Sequence, residues 1–73
     1  MNNYFVEIDN DIINVNTIDT VCYPVEKGIF NTVYTIVVIK TNNARIHISY
    51  LNMRDALEEF DRIISQLPLH ISI

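Results

Sequence analysis

His47, His70, Cys22 and Ser49 are the side chains through which this chain could ligate a metal or attack an electrophile. A metal site needs three or four His, Cys or carboxylate ligands converging on one point, and neither histidine has such companions at ligand spacing. Both sit in alternating, strand-like segments, Ile46-His47-Ile48-Ser49-Tyr50 and Leu69-His70-Ile71-Ser72-Ile73, in positions that face solvent. His47 and Ser49 share a strand face, as a base and a nucleophile would. A hydrolase also needs an orienting carboxylate, an oxyanion hole and a cleft, and a chain with a single glycine has little backbone freedom to build them. Cys22 fits a small apolar filler on a strand, because a reactive thiol requires a base and an electropositive surround. Glu58-Glu59 belong to a helix exterior, where water solvates them, and no phosphate-cradling glycine loop occurs. The expectation is a protein that is not an enzyme and holds neither metal nor cofactor.

Recognition is the better-supported chemistry, and it depends on the hairpin between Asn31 and Tyr50. Its two arms are rich in β-branched and aromatic residues, and Asn42-Asn43 suits a two-residue turn with positive φ. With those two asparagines as the loop, Ile39 faces Ile46, Val37 faces Ile48 and Thr35 faces Tyr50, an almost wholly apolar face. The other face then pairs Lys40 with Arg45, Val38 with His47 and Ile36 with Ser49. On this register Tyr34, Ile36 and Val38 form an apolar strip that a monomer seldom leaves open, so a second subunit or another protein is expected to cover it. Lys40 opposite Arg45 is an unfavourable cross-strand pair unless both side chains splay into water or an anion sits between them. The candidate ligand or partner surface is therefore Tyr34, Ile36, Val38, Lys40, Arg45 and His47.

The surrounding elements follow from periodicity. Tyr4 to Ile8 alternates as a strand with Tyr4, Val6 and Ile8 on one face, and Asp9-Asn10-Asp11 supplies a tight turn. From Ile12 to Tyr23 the alternation slips, which a bulge or short turn around Asn16-Thr17 would reconcile. Pro24 ends that strand and Val25 to Ile29 is expected as an exposed connecting loop. Beyond Asn52 the period becomes helical, with Met53, Ala56, Leu57, Phe60, Ile63, Ile64 and Leu67 on one stripe, Asn52 as the cap and Pro68 as the stop at Leu67. Arg54 and Arg62 each lie four residues from Glu58 on the outer side. The stripe is expected to cover the face carrying Thr35, Val37, Ile39, Ile46, Ile48 and Tyr50. Residues 69–73 form either a short strand added to a sheet edge or a frayed terminus.

The predicted fold is thus α+β, an antiparallel β-meander of about four strands with one C-terminal amphipathic helix packed on one face. At 73 residues the chain supports one domain, 1–73, and its marginal core favours homo-oligomerisation. A net charge of -4 disfavours nonspecific nucleic-acid binding. A hydrophobic content of 49% is too interrupted for a membrane span, and one cysteine with no signal-like leader suggests the cytoplasm. The abundance of Ile and Asn suggests an AT-rich genome, bacterial or phage. The expected function is a small homo-oligomeric protein-binding module. One alternative is sequestration of a small anionic ligand such as a nucleotide between subunits, through Lys40, Arg45 and His47. Another is an acidic inhibitor of a host nucleic-acid-binding protein, through Asp55, Glu58, Glu59 and Asp61.

Overall fold

The computed structural model describes residues 4–68. The chain opens with a hairpin of β1 (Phe5–Ile8) and β2 (Asp11–Asn14), in which Ile8 pairs with Asp11 and Val6 with Ile13. Asp9 and Asn10 both have positive φ, 53° and 66°, so they alone form the loop and Asp11 already belongs to β2. Val6, Ile8 and Ile13 point into the core while Phe5, Glu7 and Ile12 face out. The slip in alternation is a 3-10 turn at Val15–Thr17. There the Asn14 Oδ1 accepts the Asn16 N–H at 2.9 Å and the Thr17 hydroxyl donates to the Asn14 carbonyl at 2.7 Å. The turn resets the phase, so that Val15 and Ile18 are both buried.

A four-stranded antiparallel sheet follows, made of β3 (Ile18–Val21), β4 (Val25–Lys27), β5 (Val33–Lys40) and β6 (Arg45–Tyr50). β3 pairs with one half of β5 and β4 with the other, both on the side away from β6, so they act as one broken edge strand. The N–H of Cys22 continues the ladder to the Val37 carbonyl at 2.8 Å. Between Val21 opposite Val38 and Val25 opposite Thr35 the edge strand advances four residues against three on β5, so Tyr23-Pro24 makes a bulge. Pro24 therefore interrupts the strand without ending it, and Val25–Lys27 pairs in the sheet where a loop was expected. The connecting loop is shorter, 28–32. Gly28 turns it at φ +107°, and its tip holds Ile29 and Phe30 almost fully in solvent.

The β5–β6 register is the main correction. Only Asn43 of the two asparagines has positive φ, 69°, and its N–H reaches the Lys40 carbonyl at 2.9 Å. The loop is thus three residues, Thr41-Asn42-Asn43, with Asn42 Oδ1 accepting the Ala44 N–H at 3.0 Å. Pairing moves by one: Ile39 faces Arg45, Val38 faces Ile46, Val37 faces His47, Ile36 faces Ile48 and Thr35 faces Ser49. Since side chains alternate, the one-residue move exchanges the faces of β5. Ile36 and Val38 are fully buried, whereas Val37 and Ile39 lie on the opposite, outer face.

The inner face is covered by α1 (Met53–Ile64) and the β1–β2 hairpin, whose buried residues join Ile36, Val38 and Ile48 in a single core. Asn52 caps α1 as expected, its Oδ1 accepting the Asp55 N–H at 2.8 Å. Ala56, Phe60 and Ile63 of the apolar stripe are buried, and the Phe60 ring meets Tyr23 edge-on at 5.2 Å. The helix ends at Ile64, three residues before Leu67. A tighter last turn carries the Gln66 and Leu67 N–H groups to the Ile63 and Ile64 carbonyls. The α+β arrangement, antiparallel strands and one C-terminal helix, is the one the sequence predicts. Residues 69–73, expected as a short strand or a frayed end, lie outside the described residues.

Candidate functional site

Two surfaces are built by this architecture: the sheet face away from the helix, and a cleft beside the helix. Of the six residues expected on a partner surface, Ile36 and Val38 are removed from it by burial. Tyr34 goes with them to the inner face, half-buried opposite Glu26 and Tyr50. Lys40 has the inner parity of Val38, while Arg45 pairs with Ile39 on the outer face, so the expected Lys40–Arg45 pair does not form. A pocket drawing on Lys40, Arg45 and His47 together loses its geometry for the same reason.

Arg45 and His47 do share the outer face, on the β6 row with Ser49. The central row, on β5, is Val33, Thr35, Val37 and Ile39, and the third is Thr20, Cys22, Val25 and Lys27. Thr35 is buried, and its hydroxyl is 2.8 Å from that of Ser49, so the polar atoms at the centre satisfy each other. Val33, Val37, Ile39 and Cys22 are half-buried with no described element over them. None of the paired residues on this face is a carboxylate, in a chain with nine acids.

The cleft, about 310 Å³, is lined by Glu7, Asp9 and Asn10 of the first hairpin, Ile48 and Tyr50 of β6, and Glu59 and Arg62 of α1. It continues along the helix past Asp55 and Glu58. Arg62 organises it: Nη2 donates to Glu59 Oε2 at 2.8 Å and to the Glu7 carbonyl at 2.6 Å, tying the helix to the first hairpin. Sequence spacing pairs Arg62 with Glu58, but Glu59 holds it. Glu58 instead stands 4.0 Å from Arg54, in solvent. Glu59 was legible as a neighbour three residues away. The Glu7 carbonyl, fifty-five positions distant, had no sequence signal.

The Arg62 hydrogen bond draws the Glu59 carboxyl below its ordinary value against the opposing effect of burial, and raises Arg62 in turn. Burial, then the Glu59 carboxylate beside it, pushes the Tyr50 phenol up. Tyr50 is thus a neutral phenol near neutral pH, and Glu59 is an ion-paired carboxylate. Among the described residues no group of three or more His, Cys, Asp or Glu is placed to hold a metal ion. No described helix is long and apolar enough to cross a membrane.

A pH dependence follows from Glu59. Because its folded value is lowered, its stabilisation is present above the ordinary carboxylate range and is lost as pH falls through the folded value. Glu59→Gln should cost about 1 kcal/mol near neutral pH, a figure discounted for the 38% exposure of the Arg62 side chain. The difference from the parent should shrink in urea melts as pH falls below the ordinary carboxylate range and through the lowered folded value. A difference that stays constant with pH would show that the ion pair adds nothing. The chain matches no family model, no curated protein and no solved structure.

Proposed function

We propose that the chain is a small non-enzymatic protein-binding module that works as a homo-oligomer, its copies meeting through the helix-free face of the four-stranded sheet. One observation carries this reading: a row of Val33, Val37 and Ile39 runs down the middle of a sheet face that nothing described covers. Exposed together, such residues favour association, because apolar area removed from water stabilises a complex at roughly 25 cal/mol per Å² before the costs of binding. A domain of this size also gains stability by sharing a core with a second copy.

A second copy fits this face as the occupant without bringing its cations into register. About a two-fold axis parallel to the strands, the β6 row of one protomer lies over the β3–β4 row of the other. Arg45, His47 and Ser49 then meet the levels of Thr20, Cys22 and Val25, and no like charges are superposed. Light scattering after size exclusion at micromolar concentration should give twice the 8.5 kDa chain mass. Val37→Asp buries an unpaired carboxylate in that contact and should weaken it by about 100-fold. The melt of the monomer should change little, because Val37 is outside the core. A monomeric parent, or a Val37→Asp chain that stays dimeric, removes the reading.

A further inference from the structure

Among the described residues β6 pairs with β5 alone and leaves its other edge open. The Lys40 N–H to Ala44 carbonyl bond, 2.8 Å, sets the phase of the ladder. Ile46, Ile48 and Tyr50 therefore bond to β5, and Arg45, His47 and Ser49 turn their N–H and C=O groups to the free side. The opposite edge of the sheet is broken by a bulge between Ile18 and Thr20 and by Pro24, devices that discourage an added strand. β6 has no proline, glycine, lysine or bulge, so among the described residues one edge is guarded and the other is left as a template.

The cleft described above lies along that edge: β6 contributes Ile48 and Tyr50 to it and β5 contributes nothing. Its walls, with their continuation along α1, hold five carboxylates, Glu7, Asp9, Asp55, Glu58 and Glu59, against one cation, Arg62, already paired with Glu59. We propose that the free edge of β6 takes an antiparallel strand from a partner protein, an extended segment with Lys or Arg at alternate positions. Main-chain bonds to Arg45, His47 and Ser49 hold such a strand, and every second side chain turns to the acidic cleft. The intervening side chains fall beside Arg45 and His47 on the outer face, where a cation is repelled and a small polar residue fits. The site is separate from the sheet-face contact, and each stands if the other fails.

Fluorescence anisotropy with the full chain tests it, using a labelled ten-residue peptide of alternating lysine and threonine and its glutamate–threonine counterpart. The lysine peptide should bind at least about ten-fold tighter, and Glu7→Gln with Glu58→Gln should narrow the gap. In the predicted geometry the threonines carry the bonding N–H groups. N-methylation at threonines should therefore weaken binding by about ten-fold or more, while N-methylation at lysines is tolerated. His47→Pro removes an outward N–H without breaking the β5 ladder and should act like threonine methylation, provided its melt matches the parent. Binding indifferent to the position of methylation is charge attraction alone and overturns the proposal. So does a chain that ignores the lysine peptide because residues 69–73 or a second copy already occupy the edge.

Discussion

Ile36→Ala should lower stability by about 3–4 kcal/mol, while Val37→Ala one position along should cost about 1 kcal/mol or less. Ile36 is fully buried between Ile48 and the helix side of the core, so truncation leaves a cavity its neighbours cannot fill. Val37 is only half-buried on the outer face, and the space left by its truncation opens to water. For a domain of this length each kcal/mol corresponds to about 4–8 °C in melting temperature, so Ile36→Ala should melt at least about 12 °C below the parent. Circular dichroism melts at matched concentration, below the dimer range, give the comparison directly. The contrast tests the hairpin register, since under a two-residue Asn42-Asn43 turn the costs would be reversed. Equal costs, or a larger one at Val37, would contradict the three-residue loop.

Gly28→Ala is the second large effect, expected at about 2–4 kcal/mol. At φ +107° the backbone occupies a region that L side chains rarely adopt. A Cβ there would lie only 2.2 Å from the Asn31 carbonyl oxygen and 3.1 Å from its carbon, both main-chain atoms that cannot swing aside. The loop must reopen, and the Val25–Lys27 pairing with Val33–Thr35 is expected to go with it. Hydrogen exchange should lose protection in that pairing first, while the β1–β2 hairpin keeps its own. Thr32→Ala, in the same exposed loop, serves as the control and should stay within about 0.5 kcal/mol of the parent. A Gly28→Ala chain as stable as the control would mean that the turn has another shape.

Local signals carried most of the secondary structure. Asn52 announces the helix through a side-chain acceptor for the Asp55 N–H, and the three-and-four spacing of Ala56, Phe60 and Ile63 marks the face it buries. These depend on residues within a turn or two, where bonding options are few. The slip at Asn16-Thr17 was legible for the same reason. Pro24 is ambiguous in the sequence, because a proline lacking a ladder donor ends a strand in one context and bulges it in another. Which occurs depends on β5, which continues opposite Val25 and Glu26.

What the sequence determined by itself was the kind of most elements, the two hairpins, the capped helix and the apolar stripe on it, but not the strand at Val25–Lys27. The tertiary structure alone decided which side of β5 became the core. Two asparagines fit either a two-residue turn with both φ positive or a three-residue loop with one. The choice falls to packing, because only the longer loop brings Ile36 and Val38 onto the face where Ile46 and Ile48 already meet the helix and the first hairpin. That choice put Ile36 and Val38 in the interior, left Val37 and Ile39 outside beside Arg45 and His47, and sent Lys40 and Arg45 to opposite faces. The Arg62 clasp on the Glu7 carbonyl is of the same kind: it joins residues at opposite ends of the chain, and no sequence periodicity encodes such a meeting.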